Sequence, residues 1–371
     1  MKLNLFKLLD KFDWFIFLPL LLLQAFGLAA IYSVSLGQGT GEFLNFNKQL
    51  IFIAIGLLAF FAASQINYRI WSKIGWVGYF LSLLLLILVL TPLGSTVNGS
   101  RGWFNFGFLS FQPVEPMKIF LVMILADIAS RYGRAIHKFR HLMTIAILAA
   151  LPLALVMLQP DFGSALVLFF IWLVSFVLMV KDKWQIILVI MGIVVLLLGS
   201  WFFVFKDYQK SRIVTFFNPS LDPLGRGYNV QQSVIAVGSG GIFGKGLSFG
   251  SQSQLKFIPE SQTDFVFSVI AEELGLIGII FILGFFALIF YRVYKIAIRA
   301  PDDFSLFFCL LSLSFLFIHI FINIGMCIGL LPVTGISLPL VSYGGSFLVT
   351  ITILLGIIVN INKSQSLPSK F

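Results

Sequence analysis

The chain has 371 residues, of which 59% are hydrophobic and only 11% charged, and its mean hydropathy is +1.02. These values exclude a soluble globular domain and describe a polytopic membrane protein. The formal net charge of +10 does not point to nucleic acid, because the cations are not interleaved with aromatic stacking platforms on a soluble surface.

Apolar runs of spanning length recur along the chain, at residues 14–36, 50–63, 74–93, 116–129, 143–158, 162–180, 184–205, 265–290, 304–330 and 339–361. That makes about ten transmembrane helices at ~20 residues each. The expected fold is all-α, a single membrane domain over residues 1–371 with two large loops at about 91–112 and 207–263. The first run follows Lys2, Lys7 and Lys11 as a signal peptide would. It is too long for a secretory apolar region and lacks a small-residue cleavage site before Leu36, so it reads as a retained span.

Most of the Lys and Arg residues fall in alternate loops, among them Arg69, Lys73, Arg131, Lys183, Arg292 and Lys295. The positive-inside rule then puts both termini in the cytoplasm and the two large loops outside. Cations left on the outer side, such as Lys48, Arg101, Lys118, Lys245 and Lys256, suggest an anionic ligand there or a solvated loop surface.

The first outer loop reads TPLGSTVNGSRGWFNFGFLSFQ, with turn signals at Asn98-Gly99 and Arg101-Gly102 followed by alternating aromatics. It is expected to fold back on the membrane face. At the start of the fourth span Glu115 and Lys118 stand three residues apart on one helical face, as an intramembrane ion pair. Such a pair neutralises charge near the interface or belongs to a functional site. Asp161, in QPDFGS between two spans, is placed to cap the sixth.

The second outer loop is too long for an ordinary connection, and its GYNVQQSVIAVGSGGIFGKG stretch argues for order. A short interfacial helix is expected around residues 228–237. Its GSGG and GKG segments are simple turns, or turns whose N–H groups approach a phosphate.

Asp264 lies where this loop enters the eighth span, either as a cap or first-turn residue beside an N-cap at Thr263 or as a reacting carboxylate. Glu272 and Glu273 lie about two turns deeper at ~1.5 Å per residue and need protonation or partners, which makes them structural or gating candidates. The polar residues at membrane level on this side are Arg101, Gln112, Glu115, Lys118, Asp161, Lys245, Glu260 and Asp264, and Ser268 joins Gln112, Asp161 and Glu260 as a secondary candidate.

In the ninth span, Cys309 and Cys327 are about 27 Å apart at ~1.5 Å per residue and cannot pair. No cysteine or histidine spacing suggests a metal site. His319, alone in the same span, suits helix packing.

Four segments carry a resemblance to a known family: NGSRGWFNFGFLSFQPVEPMKIF, LQPDFGSAL, GKGLSFGSQSQLKFIPESQTDFVFSVIAEELGLIG and NIGMCIGLLPVTGISLPLVSYGGSF. In this order and within ten spans they resemble the SEDS (shape, elongation, division, sporulation) family, and SQSQLKFIPE before TDF resembles its elongation branch more than its division branch. The resemblance implies a peptidoglycan glycosyltransferase that polymerises lipid II on the outer face of the bacterial cytoplasmic membrane. It maps the family's essential Asp onto Asp264 and its Glu and Lys onto Glu115 and Lys118. Val114 stands where the family has Ser, Pro116 follows the Glu directly, and Ser110 replaces an Arg, for which Arg101 is the substitute.

Implied partners are lipid II, a class B penicillin-binding transpeptidase meeting the eighth and ninth spans, and elongation-complex proteins. For the chemistry, Asp264 serves as general base on the acceptor 4-hydroxyl. Lys118, Arg101 and Lys245, or a divalent cation such as Mg or Mn, stabilise the leaving diphosphate. No P-loop or nucleotide-sugar motif is present, and no organic cofactor is expected. A lipid II flippase, with Asp127, Glu272 and Glu273 along its path and helices interrupted near Pro332 and Pro339, stands as the alternative. A scaffold that only recruits a transpeptidase is a third.

Overall fold

The computed structural model describes residues 13–37, 43–97, 99–107, 109–132, 139–180, 183–187, 191–192, 210, 214 and 226–365. Its long helices are α1 (Trp14–Gly37), α2 (Leu44–Gln65), α3 (Tyr68–Val89), α4 (Val114–Tyr132), α5 (Phe139–Leu158), α6 (Phe162–Met179), α9 (Val266–Ile298), α10 (Asp303–Cys327) and α11 (Gly345–Gln365), with the shorter α7 (Arg226–Ser239) and α8 (Ser251–Gln254) between α6 and α9. Eight of the described helices are long and apolar enough to cross a membrane. Helix α4 is the fourth expected span but carries Glu115, Lys118, Asp127 and Arg131. The expected seventh span lies mostly outside the described residues. The chain is an integral membrane protein.

In the apolar window of α5 only 22% of residues are buried within the protein, against 72% in α11, so α5 faces lipid while α4, α10 and α11 form the centre. Helix association in lipid depends on close backbone approach through small residues, and glycines supply it here. A Cβ on Gly356 of α11 would lie 2.5 Å from the Phe60 carbonyl of α2, and one on Gly27 of α1 would lie 2.1 Å from the Val341 carbonyl. Several charges inside the bundle are paired. Asp127 accepts from Trp76 Nε1 at 2.8 Å and meets Arg131 at 2.7 Å, and Asp13 meets Arg292 at 2.8 Å.

The structure corrects several expectations. The first large loop is a small antiparallel sheet, β1 (Ser95–Val97), β2 (Ser100–Asn105) and β3 (Ser110–Phe111), in the order β1-β2-β3. Gly99 makes its first turn at φ +81°, whereas Arg101-Gly102 lies inside β2. The alternating aromatics already carried this strand period. The third span stops at Val89 because Thr91-Pro92-Leu93-Gly94 turns the chain. The last two spans are shorter than their apolar runs. Residues 328–344 form an extended, turn-containing connector, with Gly329 and Gly335 at φ +74° and +78°.

Helix α9 is broken at Gly275, where φ is +63° and ψ −161°. A break inside a membrane protein must have its freed backbone groups paired. The turn after α7 does this. The N–H groups of Lys245 and Gly246 donate to the carbonyls of Glu272 and Glu273 at 3.0 and 2.9 Å, and those of Leu276 and Ile277 donate to Gly241 and Ile242 at 2.9 and 3.2 Å. The glycine turns of GSGGIFGKG therefore serve the broken helix, and these N–H groups are not offered to a phosphate. The helix expected around residues 228–237 is α7, and it packs Ser233 against Ser268, with oxygens 2.6 Å apart.

Candidate active site

At the end of the bundle that carries the two large loops, the sheet, the chain before α9 and the connector 328–344 enclose a cavity of about 530 Å³. Its wall includes Gln112, Glu115, Lys118, Asp161, Glu260 and Asp264, six of the residues singled out in the sequence.

Helix α4 starts after Pro113 and points Glu115 and Lys118 into the cavity floor, where Oε1 and Nζ are 2.9 Å apart. Both are buried, with 5% and 2% exposure. Lys118 Nζ also lies 5.6 Å above the Phe347 ring. A cation held this way, in a partly dehydrated wall, interacts far more strongly with an anion than it would in water. Glu115 orients it.

Asp161 is the N-cap of α6, accepting from Ser164 N–H at 2.9 Å, as its place in QPDFGS suggests. Its second oxygen accepts from Gln112 Nε2 at 3.3 Å, and Gln112 N–H donates to Ser346 Oγ at 3.3 Å. The pair is an architectural tie across the cavity mouth. Glu260 accepts from Thr263 Oγ1 at 3.0 Å within its own turn.

Asp264 is not in a helix. Helix α9 begins at Val266, its N-cap position is Phe265, and Phe265 makes no side-chain capping bond. The expected cap at Thr263 is therefore corrected, since residues 261–265 form turns that carry the carboxylate into the cavity. A carboxylate in the cavity wall meets the first requirement of a general base, that its oxygens can reach a substrate proton.

Three candidates are placed elsewhere. Arg101 is absent from the wall, and its Nη1 lies 3.5 Å from the Leu90 carbonyl. Lys245 pairs with the buried Glu272 at 2.7 Å and with Ser251 Oγ at 2.8 Å. Ser268 is fully buried against α7. Sequence proximity to the loops does not fix the direction of a side chain, and these three turn away from the cavity wall.

The wall also holds residues not selected from the sequence: Lys48 at the start of α2, Asn229 of α7, Trp103 of β2, His319 of α10, and Thr334–Ser337 and Tyr343 of the connector. His319 packs between Phe315 and Phe347, with ring centroids at 4.9 and 4.7 Å, as a packing residue would. Lys48 was legible only as an outer cation without a motif. Among the described residues no group of three or more His, Cys, Asp or Glu is placed to hold a metal ion.

Comparisons with known proteins agree with this picture. Residues 13–367 match the FTSW_RODA_SPOVE model, described as cell cycle protein. The chain is 36% identical over 360 residues to the peptidoglycan glycosyltransferase MrdB of Escherichia coli K12, covering 95% of this chain and 94% of that protein. It is 37% identical over 358 residues to stage V sporulation protein E of Bacillus subtilis, covering 92% and 94%. Among solved structures, a chain of a peptidoglycan synthase complex that coordinates polymerization and crosslinking superposes with a TM-score of 0.78 at 31% identity, covering 96% of this chain and 98% of the other. The rod shape determining protein RodA of Thermus thermophilus superposes with a TM-score of 0.71 at 27% identity, covering 96% and 98%. The chain belongs to the FtsW/RodA/SpoVE family, the SEDS proteins.

Proposed function

We propose that this protein is a peptidoglycan glycosyltransferase that polymerises lipid II into β-1,4-linked glycan, with Asp264 as general base. The observation that carries the reading is one cavity whose wall holds the Asp264 carboxylate together with the buried Lys118–Glu115 pair. The acceptor sugar's 4-hydroxyl attacks the donor's anomeric carbon, and Asp264 takes its proton as the new C–O bond forms. The bond from that carbon to undecaprenyl diphosphate breaks, and the electron pair leaves with the diphosphate toward Lys118 and Lys48. One displacement inverts the centre, so an α-linked donor yields a β-linkage.

A flippase needs polar stations through the bilayer. Asp127, Glu272 and Glu273 are occupied by Trp76 and Arg131, by Lys245, and by Ser33 and Ser253, which favours polymerisation. The cavity faces the extracytoplasmic side and both termini are cytoplasmic. The partner is a class B penicillin-binding transpeptidase within the elongation machinery, and restored rod shape in cells lacking their own elongation member tests that branch. Liposomes containing the purified protein, with its partner, decide the chemistry. Glycan strands made from lipid II support polymerisation, and transbilayer movement of lipid II without glycan overturns it.

A further inference from the structure

A loop carboxylate used as a base has to be held within a fraction of an ångström, yet Asp264 has no helical ladder to hold it. The structure supplies another device. Consecutive carbonyls at residues 262, 263 and 264 are each captured by a donor distant in sequence. The Gln262 carbonyl accepts from the Tyr343 N–H at 2.8 Å. The Thr263 carbonyl accepts from Ser342 Oγ at 2.6 Å, and the Asp264 carbonyl from Asn323 Nδ2 at 2.8 Å.

Asn323 does more than hold one residue. It is fully buried in α10, and its amide also donates to the Ile336 carbonyl at 2.7 Å. Both partners are carbonyls, so the nitrogen and not the oxygen of the amide must face them. Its Oδ1 has no hydrogen-bond partner among the described groups. A buried orphan acceptor is unfavourable, so the side chain is arranged for its two N–H groups. One bond holds the turn that bears Asp264, and the other holds the strip that includes Gly335, opposite the carboxylate. Cys327, one turn further along α10, lies with Sγ 3.6 Å from the same Asp264 carbonyl.

We propose that Asn323 and Ser342 are positioning residues for Asp264, stapling its turn to the connector wall so that the carboxylate meets the acceptor hydroxyl at a fixed distance. Neither side chain needs to touch substrate. The inference rests on the reading of Asp264 as the base. Misplacement of a reacting group by about 1 Å costs on the order of a hundredfold in rate, so the loss should appear in kcat and not in binding.

The test compares wild type, Asn323→Leu, Ser342→Ala, Asp264→Asn and the control Ser312→Ala in proteoliposomes with lipid II, reading kcat, KM and Tm. Ser312 is also buried in α10, and among the described residues it bonds within its own helix, to the Phe308 carbonyl. Expected are kcat values per folded protein about ten- to a hundredfold lower for Asn323→Leu and Ser342→Ala, with KM close to wild type, Tm lower by a few degrees because buried carbonyls lose their donors, and Ser312→Ala unaffected. If Asn323→Leu does not fold, the smaller change Ser342→Ala decides. Wild-type kcat in Ser342→Ala, or a fall in kcat that only tracks loss of Tm, overturns the positioning role while an inactive Asp264→Asn leaves the base in place. A fully active Asp264→Asn overturns the base itself.

Discussion

Gly335 stands opposite Asp264: a Cβ placed on it would lie 3.6 Å from the Asp264 Oδ2, and its φ is +78°. That backbone conformation costs a side-chain-bearing residue about 1–2 kcal/mol, and the added methyl would occupy space next to the carboxylate. Gly335→Ala is therefore expected to fold with a Tm lower by a few degrees and to lose most polymerisation. Glycan yield per folded protein checks this, and a stable, fully active variant would count against a reacting centre at this place.

The Glu115–Lys118 pair separates stability from chemistry. Removing one partner leaves the other charge buried, at a cost of about 3–5 kcal/mol. Glu115→Ala and Lys118→Ala should both destabilise strongly. The double variant Glu115→Gln/Lys118→Met should recover much of the Tm, since no lone charge remains, while staying inactive for want of a cation at the diphosphate. Thermal unfolding in detergent and a lipid II assay on the same samples report both.

The cations of the large-loop end fall into different classes. Lys48 lines the cavity, and Lys48→Ala is expected to raise the KM for lipid II severalfold. Arg101 lies outside the wall, so Arg101→Ala should leave KM near the wild-type value. Steady-state kinetics on the two variants settles the contrast.

Lys245 belongs to the architecture of the broken helix. Lys245→Met leaves Glu272, fully buried, without its cation, and Gly240→Ala would place a Cβ 1.9 Å from the Ala271 carbonyl. Both should lower Tm by more than Arg101→Ala does, with the KM of the remaining folded fraction unchanged. A raised KM at unchanged Tm for Lys245→Met would restore it to the substrate site.

Much of this was legible in the sequence for physical reasons. Apolar run length marks the spans, the spacing of Glu115 and Lys118 marks their pairing, and Asp161 follows a Pro and precedes a helical run as a cap should. What was not legible depends on long-range placement. Nothing local to IPESQTDF reveals that its carbonyls will be held by Asn323, Ser342 and Tyr343. Nothing local to GSGGIFGKG shows that a helix broken thirty-odd residues later needs its N–H groups. The surroundings of Arg101 and Lys245 were not legible either, because a charge near a loop says which side of the bundle it is on, and not where its side chain turns.

The central claim is that the carboxylate of Asp264 accepts the acceptor proton, and Asp264→Asn tests it most directly because the amide keeps size and hydrogen bonding while removing the base. Steady-state polymerisation of lipid II in proteoliposomes should show a kcat lower by about 10²–10⁴, with KM and Tm near wild type. Glycan synthesis by Asp264→Asn at the wild-type rate would contradict the account.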